Sequence, residues 1–239
     1  MRIAMWSGPR NLSTAMMYAF GARGDCDIVD EPFYAVYLLQ TGINHPMRPE
    51  IIASQPQNPG EVIETLLGPI PGRLPLQYQK HMSHHMVEGV ARYWLGDVKN
   101  VFLIRHPARV VASYAAKREN PDLDDIGLRQ QVELYDYARA MGDDPIVVDS
   151  EDIRAAPEAM LRALCQELGI EFLPQMLSWP KGGHAADGVW AKHWYGTAHR
   201  STGFNSEIAP LPELEGDLGA LVEEAMPYYR RLYRNRIVV

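Results

Sequence analysis

Residues 7–14, Ser-Gly-Pro-Arg-Asn-Leu-Ser-Thr, put a glycine, a proline and a guanidinium directly before a helical pattern opening on two hydroxyls, Ser13 and Thr14. A short apolar run, Ile3 to Trp6, leads into them, and Met16, Met17, Tyr18 and Phe20 carry the pattern on. Strand, basic loop and helix start together make an anion site. The first N–H groups of a helix lack intrahelical acceptors, and the helix dipole is positive at that end. The phosphate loop of ATPases and kinases needs a second glycine followed by lysine, and neither stands here. A second anion signal is Phe102-Leu103-Ile104-Arg105-His106-Pro107, with Arg109 and Ser113 following on one helix face. A fixed guanidinium, a hydroxyl and a helix start around one volume suit a phosphate. The same arginine could equally pair with a carboxylate at the strand end. His81, His84 and His85 contain a four-residue spacing that can chelate zinc on a helix, but no cysteine or carboxylate is close in sequence to complete the set. Asp149-Ser150-Glu151-Asp152 reads as a cap for the next helix, with a magnesium site as its less economical reading.

The elements that must hold these groups alternate. Short apolar runs predict strands over 2–6, 26–30, 76–81, 100–105 and 145–149. Helical patterns cover 12–22, 33–41, 60–68, 84–95, 107–118, 125–141, 156–168 and 217–234. Strands separated by helices read as βαβ units. The expected fold is therefore α/β, a three-layer, mainly parallel sheet with helices on both faces, as a single domain over 1–239. Segment 43–59 reads as a long excursion rich in Pro, Asn and Gln. Segment 180–212 carries Trp190, Trp194, Tyr195 and Phe204 and reads as a lid or binding loop. Ligands of open parallel sheets sit outside the carboxyl ends of the strands. Ser7–Thr14, Glu31–Phe33, Lys80–His85, Arg105–Ser113 and Asp149–Asp152 fall there, and they are more polar than the strands before them.

The formal charge of −7 argues against a nucleic-acid polymer as partner, while a local basic pocket still admits one nucleotide. Two cysteines give no disulfide framework and fit a reducing compartment. No apolar stretch reaches the length of a membrane helix, and a strand at the very start leaves no room for a signal peptide. A cytoplasmic protein without membrane contact is expected. Its oligomeric state is not legible.

Taken together, the two anion segments resemble the sulfotransferases that use 3′-phosphoadenosine 5′-phosphosulfate (PAPS), whose fold is of the P-loop nucleotide-kinase type. Pro9-Arg10-Asn11-Leu12-Ser13-Thr14 is similar to their first loop, P-K/R-S-G-T/S-T. Arg105-His106-Pro107 with Ser113 matches their second signature in spacing and in the proline. The resemblance implies that Gly8, Pro9, Arg10, Asn11, Leu12, Ser13 and Thr14 hold the 5′-phosphosulfate, and that Arg105 and Ser113 hold the 3′-phosphate. Lys181-Gly182-Gly183 partly echoes a later K-G-x-x-G element, which makes Lys181 a further cofactor-binding candidate. Leu12 stands where the family has glycine, and Met82 stands where many cytosolic members carry a catalytic histidine.

The reaction so implied moves a sulfuryl group to a hydroxyl or amine of a small molecule, with PAPS as co-substrate and no metal. It needs positive charge at the leaving oxygen and a base for the acceptor proton. Arg10 resembles the family's basic residue. Asp30-Glu31-Pro32-Phe33 is similar to the acceptor-side segment of carbohydrate-type members, some of which use a glutamate there. Glu31 is thus the first candidate base and His81 the second, although Glu31 could simply cap the following helix. The competing readings are a P-loop kinase or NTPase and a sulfotransferase-like protein that binds nucleotide without catalysis. Segments 33–59 and 180–212 are expected to shape the acceptor pocket.

Overall fold

Alternation along the central strand decides the layering. In β1 (Arg2–Ser7), Ile3 and Met5 face one apolar cluster while Ala4 and Trp6 face another. Val101 and Leu103 against Phe102 and Ile104 repeat the division in β4 (Lys99–Ile104). A strand buried on both faces needs helices above and below it. The computed structural model, which describes residues 1–116 and 121–239, supplies them. With β2 (Cys26–Asp30), β3 (Leu76–Met82) and β5 (Ile146–Asp149), the strands form one five-stranded sheet, all parallel, in the order β2-β3-β1-β4-β5.

On the face of Ile3 and Met5 lie α1 (Ser13–Gly21) and α9 (Pro157–Leu168), through Met16, Met17 and Phe20 and through Leu161 and Leu164. On the other face α7 (Leu128–Ala140) and α12 (Gly216–Tyr233) bring Leu134, Tyr135, Ala225 and Leu232. Each fully buried leucine of this kind contributes about 2 kcal/mol before entropy is subtracted. The remaining helices are α2 (Tyr34–Thr41), α3 (Arg48–Ser54), α4 (Pro59–Leu67), α5 (Pro107–Ala115), α6 (Leu123–Ile126), α8 (Ser150–Ala155), α10 (Ala191–Trp194) and α11 (Gly196–Arg200). Among the described residues no helix is long and apolar enough to cross a membrane.

The five expected strands are present within a residue or two, but several helices differ. Segment 84–95 is not a helix. It holds two 3₁₀ turns, Ser83–His85 and Tyr93–Asp97, and between them Gly89 turns at φ 90°, which a helix does not tolerate. The helix expected over 125–141 is divided by Gly127 at φ 73°, where a Cβ would lie 3.3 Å from the Gly8 Cα. The excursion 43–59 contains α3, and 180–212 contains α10 and α11. α5 realises the expectation for 107–118 up to Ala115, and residues 117 and 118 lie outside the described residues.

Candidate active site

β1 lies between β3 and β4, and the chain leaves its end for the far edge strand β2. Such a switch in strand order opens a crevice at the carboxyl ends. Loop 8–12 crosses that crevice. Gly8 is required there because an added Cβ would sit 2.1 Å from the Ile126 carbonyl oxygen. Arg10 and Leu12 both take left-handed φ, 62° and 70°, each costing on the order of 1 kcal/mol for a residue with a Cβ. A left-handed residue followed by a helical one turns successive N–H groups to the same side and makes an anion cradle. Leu12 is the N-cap of α1 and offers no side-chain hydrogen bond to it. Leu12 therefore takes the backbone shape that glycine would supply. Asn11 is pinned beneath the loop, its amide donating to the Leu103 carbonyl (3.2 Å) and its own carbonyl accepting from Ser150 (2.8 Å).

A cavity of ≈ 300 Å³ opens over this cradle and is lined by Pro9, Arg10, Asn11, Leu12, Ser13 and Thr14. Arg105 and Ser113 also line it, and so does Glu31. Arg10 Nε donates to Ser113 Oγ at 2.9 Å, which leaves the serine hydroxyl hydrogen free to donate elsewhere. Arg105 Nη1 donates to the Arg10 carbonyl at 2.8 Å and Nε pairs with Glu151 at 3.2 Å. Its Nη2 has no partner among the described residues. Burial pushes both guanidiniums below their ordinary range, with Glu151 opposing that for Arg105; both remain cations at neutral pH. These guanidiniums, the serine hydroxyl and the loop N–H groups make this part of the cavity suited to an anion. Arg109 turns away from Ser113, pairing with Glu151 at 3.0 Å and holding the Ala209 and Pro210 carbonyls. Asp149 accepts from the Glu151 N–H at 2.7 Å as the N-cap of α8.

The other wall of the cavity comes from Tyr34, His45, His84, His85, Trp194 and Tyr195, with Lys80 and Met82 from β3. Glu31 follows β2 in a strained turn at φ 40°, fixed by three backbone contacts. Its N–H reaches the Lys80 carbonyl (2.9 Å), and its own carbonyl accepts from Tyr34 N–H (3.1 Å) and Gln55 Nε2 (2.9 Å). Lys80 is fully buried, its ammonium 3.0 Å from Asp30 Oδ1, 2.5 Å from Glu31 Oε1 and 2.5 Å from the Tyr195 hydroxyl. Burial alone would lower the lysine, but Asp30 and Glu31 outweigh it and hold it above its ordinary value. Burial raises Glu31, with Lys80 opposing and Asp30 reinforcing. A carboxylate raised in this way, in a cavity beside an anion cradle, is placed to take up a proton.

Three sequence candidates, His81, Lys181 and Gly8, do not line the cavity. His81 points to the opposite face of β3, stacked on Trp6 with centroids 4.4 Å apart, and burial lowers it to about 3. Adjacent residues of a strand face opposite ways, so Lys80 and Met82 reach the cavity and His81 cannot. Met82 thus occupies the cavity-facing position where the resemblance places a histidine. Lys181 is exposed and does not line the cavity. Gly8 supports the cradle from below without lining it. Among the described residues no three His, Cys, Asp or Glu side chains form a metal-holding group. Asp30, Lys80 and Tyr195 have no individual role legible in the sequence, although Lys80 falls among the strand-end positions and Tyr195 in the aromatic segment 180–212. The signal for the first two was two oppositely charged positions at the ends of neighbouring strands.

The basic loop before α1, the Arg105–Ser113 pair and a buried carboxylate thus share one crevice at the carboxyl ends of a five-stranded parallel sheet. The chain belongs to the sulfotransferase domain family, whose model matches residues 1–236. Two curated proteins of Arabidopsis thaliana, branched-chain-amino-acid aminotransferase-like proteins 2 and 1, are 34% and 35% identical over 235 residues. The matches cover 96% of this chain and 41% of each relative, so the chain spans about two fifths of their length. The sulfotransferase domain from the curacin biosynthetic pathway shares the fold, with a TM-score of 0.53 at 16% identity, over 95% of this chain and 97% of that one.

Proposed function

We propose that this chain transfers a sulfuryl group from PAPS to a hydroxyl or amine of a small acceptor. The observation that carries the reading is that one cavity joins the cradle of Pro9–Thr14, the Arg105–Ser113 pair and Glu31. The loop and helix start would hold the 5′-phosphosulfate, and Arg105 with the Ser113 hydroxyl would hold the 3′-phosphate. Glu31 accepts the acceptor proton as the new bond to sulfur forms. The bridging sulfur–oxygen bond breaks at the same time, releasing adenosine 3′,5′-bisphosphate, with Arg10 near the leaving oxygen. Tyr34, His45 and Trp194 would shape the acceptor side, which agrees with variation of substrate through loops on a shared fold.

Calorimetric titration with adenosine 3′,5′-bisphosphate tests the reading. Micromolar binding is expected, weakened roughly thirtyfold or more by Arg105→Ala, since a charge-assisted phosphate contact is worth about 2 kcal/mol. 5′-AMP, lacking the 3′-phosphate, should bind weakly to both proteins. Absence of binding to the wild type, with tight magnesium-dependent binding of ATP instead, would replace the proposal by a kinase or NTPase reading. Binding without sulfate transfer from labelled PAPS to any of a broad panel of alcohols, phenols and amines would favour a non-catalytic nucleotide-binding protein.

A further inference from the structure

Among the described residues Lys80 is the only buried cation against the two adjacent buried carboxylates, so the Asp30–Glu31–Lys80 group carries a net negative charge when both acids are ionised. Everything else that donates to those carboxylate oxygens, among the described residues, comes from one short stretch of the late segment. The Tyr195 hydroxyl lies 2.8 and 2.9 Å from the Asp30 oxygens and 3.0 Å from Glu31 Oε1. The Gly188 N–H donates to Asp30 Oδ2 at 3.1 Å. Trp190 Nε1 donates to the Tyr195 oxygen at 3.0 Å, and Lys80 Nζ approaches it at 2.5 Å. Two donors onto its oxygen orient the tyrosine's single O–H toward the carboxylates. Burial, then Asp30 and Glu31, hold that phenol well above its ordinary value, so it stays a donor.

We propose that Tyr195 is a positioning residue for Glu31, and that seating of segment 188–195 decides whether this carboxyl is ionised and ready to take a proton. The proposal rests on the reading of Glu31 as the base. A donor to the ionised form favours that form. With the segment seated, Glu31 is held as a carboxylate against the pull of its buried, net-negative surroundings. With Tyr195 withdrawn, Glu31 keeps only Lys80 as a side-chain donor among the described residues, and it holds a proton to higher pH. The other titratable groups around Glu31 are Asp30 and Lys80 on β2 and β3, Tyr34 on α2, His45, His84 and His85, with Arg10 and Arg105 across the cavity. Burial, first, and then His84, His45 and Lys80 lower His85 well below its ordinary value. Because Trp194 and Tyr195 also line the cavity, the segment that closes over the acceptor would be the one that readies the base.

The experiment is a pH titration of carboxyl-¹³C-glutamate-labelled protein by NMR, with the Glu31 signal assigned by its loss in Glu31→Gln. It needs neither an acceptor nor turnover. The midpoint of Glu31 is expected to rise by about one pH unit, a tenfold gain in proton affinity, in Tyr195→Phe. Trp190→Phe, which removes only the donor onto Tyr195, should move it in the same direction by less, and it serves as the probe if Tyr195→Phe does not fold. A midpoint unmoved or lowered in the folded variants would overturn the proposal. Adenosine 3′,5′-bisphosphate affinity, measured on the same samples, should stay within twofold of wild type. Loss of that affinity from the wild type itself would refute the proposed function and leave the titration result standing.

Discussion

Replacing Lys80 by methionine keeps the shape of the side chain and removes its charge. In the native protein the ammonium touches Asp30 at 3.0 Å and Glu31 at 2.5 Å, with the lysine fully buried. Removing one partner of a buried ion pair costs about 3–5 kcal/mol, because the remaining charge is uncompensated; two carboxylates are stranded here. That is a large part of the 5–15 kcal/mol that typically holds a domain together. The loss must depend on pH. Without Lys80 the burial that raises Glu31 is opposed by the Tyr195 hydrogen bond alone, so the native state binds a proton in a range where the unfolded chain has released it. Stability then falls as pH rises from the unfolded carboxyl value, about 4.3, through the raised native one. Urea unfolding of Lys80→Met and wild type at pH 5.5 and pH 8 reads this directly. The difference should reach about 3–5 kcal/mol at pH 8 and shrink by 1 kcal/mol or more at pH 5.5. A deficit below about 1 kcal/mol at pH 8, or one equal at both pH values, would refute the assignment of Lys80 as the counter-charge of this pair.

Gly8→Ala places a Cβ 2.1 Å from the Ile126 carbonyl; the backbone must move, and a loss of about 3 kcal/mol or more in urea unfolding, with weakened adenosine 3′,5′-bisphosphate binding, is expected. His81→Gln should cost about 1–3 kcal/mol by disturbing the stack with Trp6, yet leave that affinity within twofold, as calorimetry would read. Burial raises Asp149 to about 6, so the native state holds its proton above the unfolded value, and this group's contribution to stability falls as pH rises from about 4 to about 6. Asp149→Asn should remove about 2 kcal/mol of that slope in unfolding free energies measured across the range.

The layering of this protein was legible because it rests on local facts. Apolar runs such as Val101–Ile104 can only be strands buried on both faces, and the helices that cover them declare themselves through residues such as Met160, Leu161, Leu164 and Leu168. The turn that lines the cavity before α1 was legible too, since Pro9 and Arg10 ahead of Ser13 and Thr14 mark a loop and a helix start within a few residues. The spacing of Arg105 and Ser113 belongs to the same category. What misled was periodicity without context. His84 and His85 sit in a run that reads as helix, but Gly89 at φ 90° and the stacking of His85 against both Tyr34 and Tyr37 hold it in 3₁₀ turns.

By itself, then, the sequence determined the strands, most of the helices and the two arginine-bearing segments at strand ends, because each depends on neighbours within one or two turns or strands. Only the tertiary structure decided which polar groups work together. Asp30, Glu31, Lys80 and Tyr195 are drawn from three separate parts of the chain. They meet because β2 and β3 pair in register, Asp30 opposite Lys80, and because the late segment folds back onto them. The strand pleat then sent Lys80 toward the cavity and His81 into the core. A strand's alternation is visible in sequence, but which of its faces meets a cavity is set by the elements packed against it.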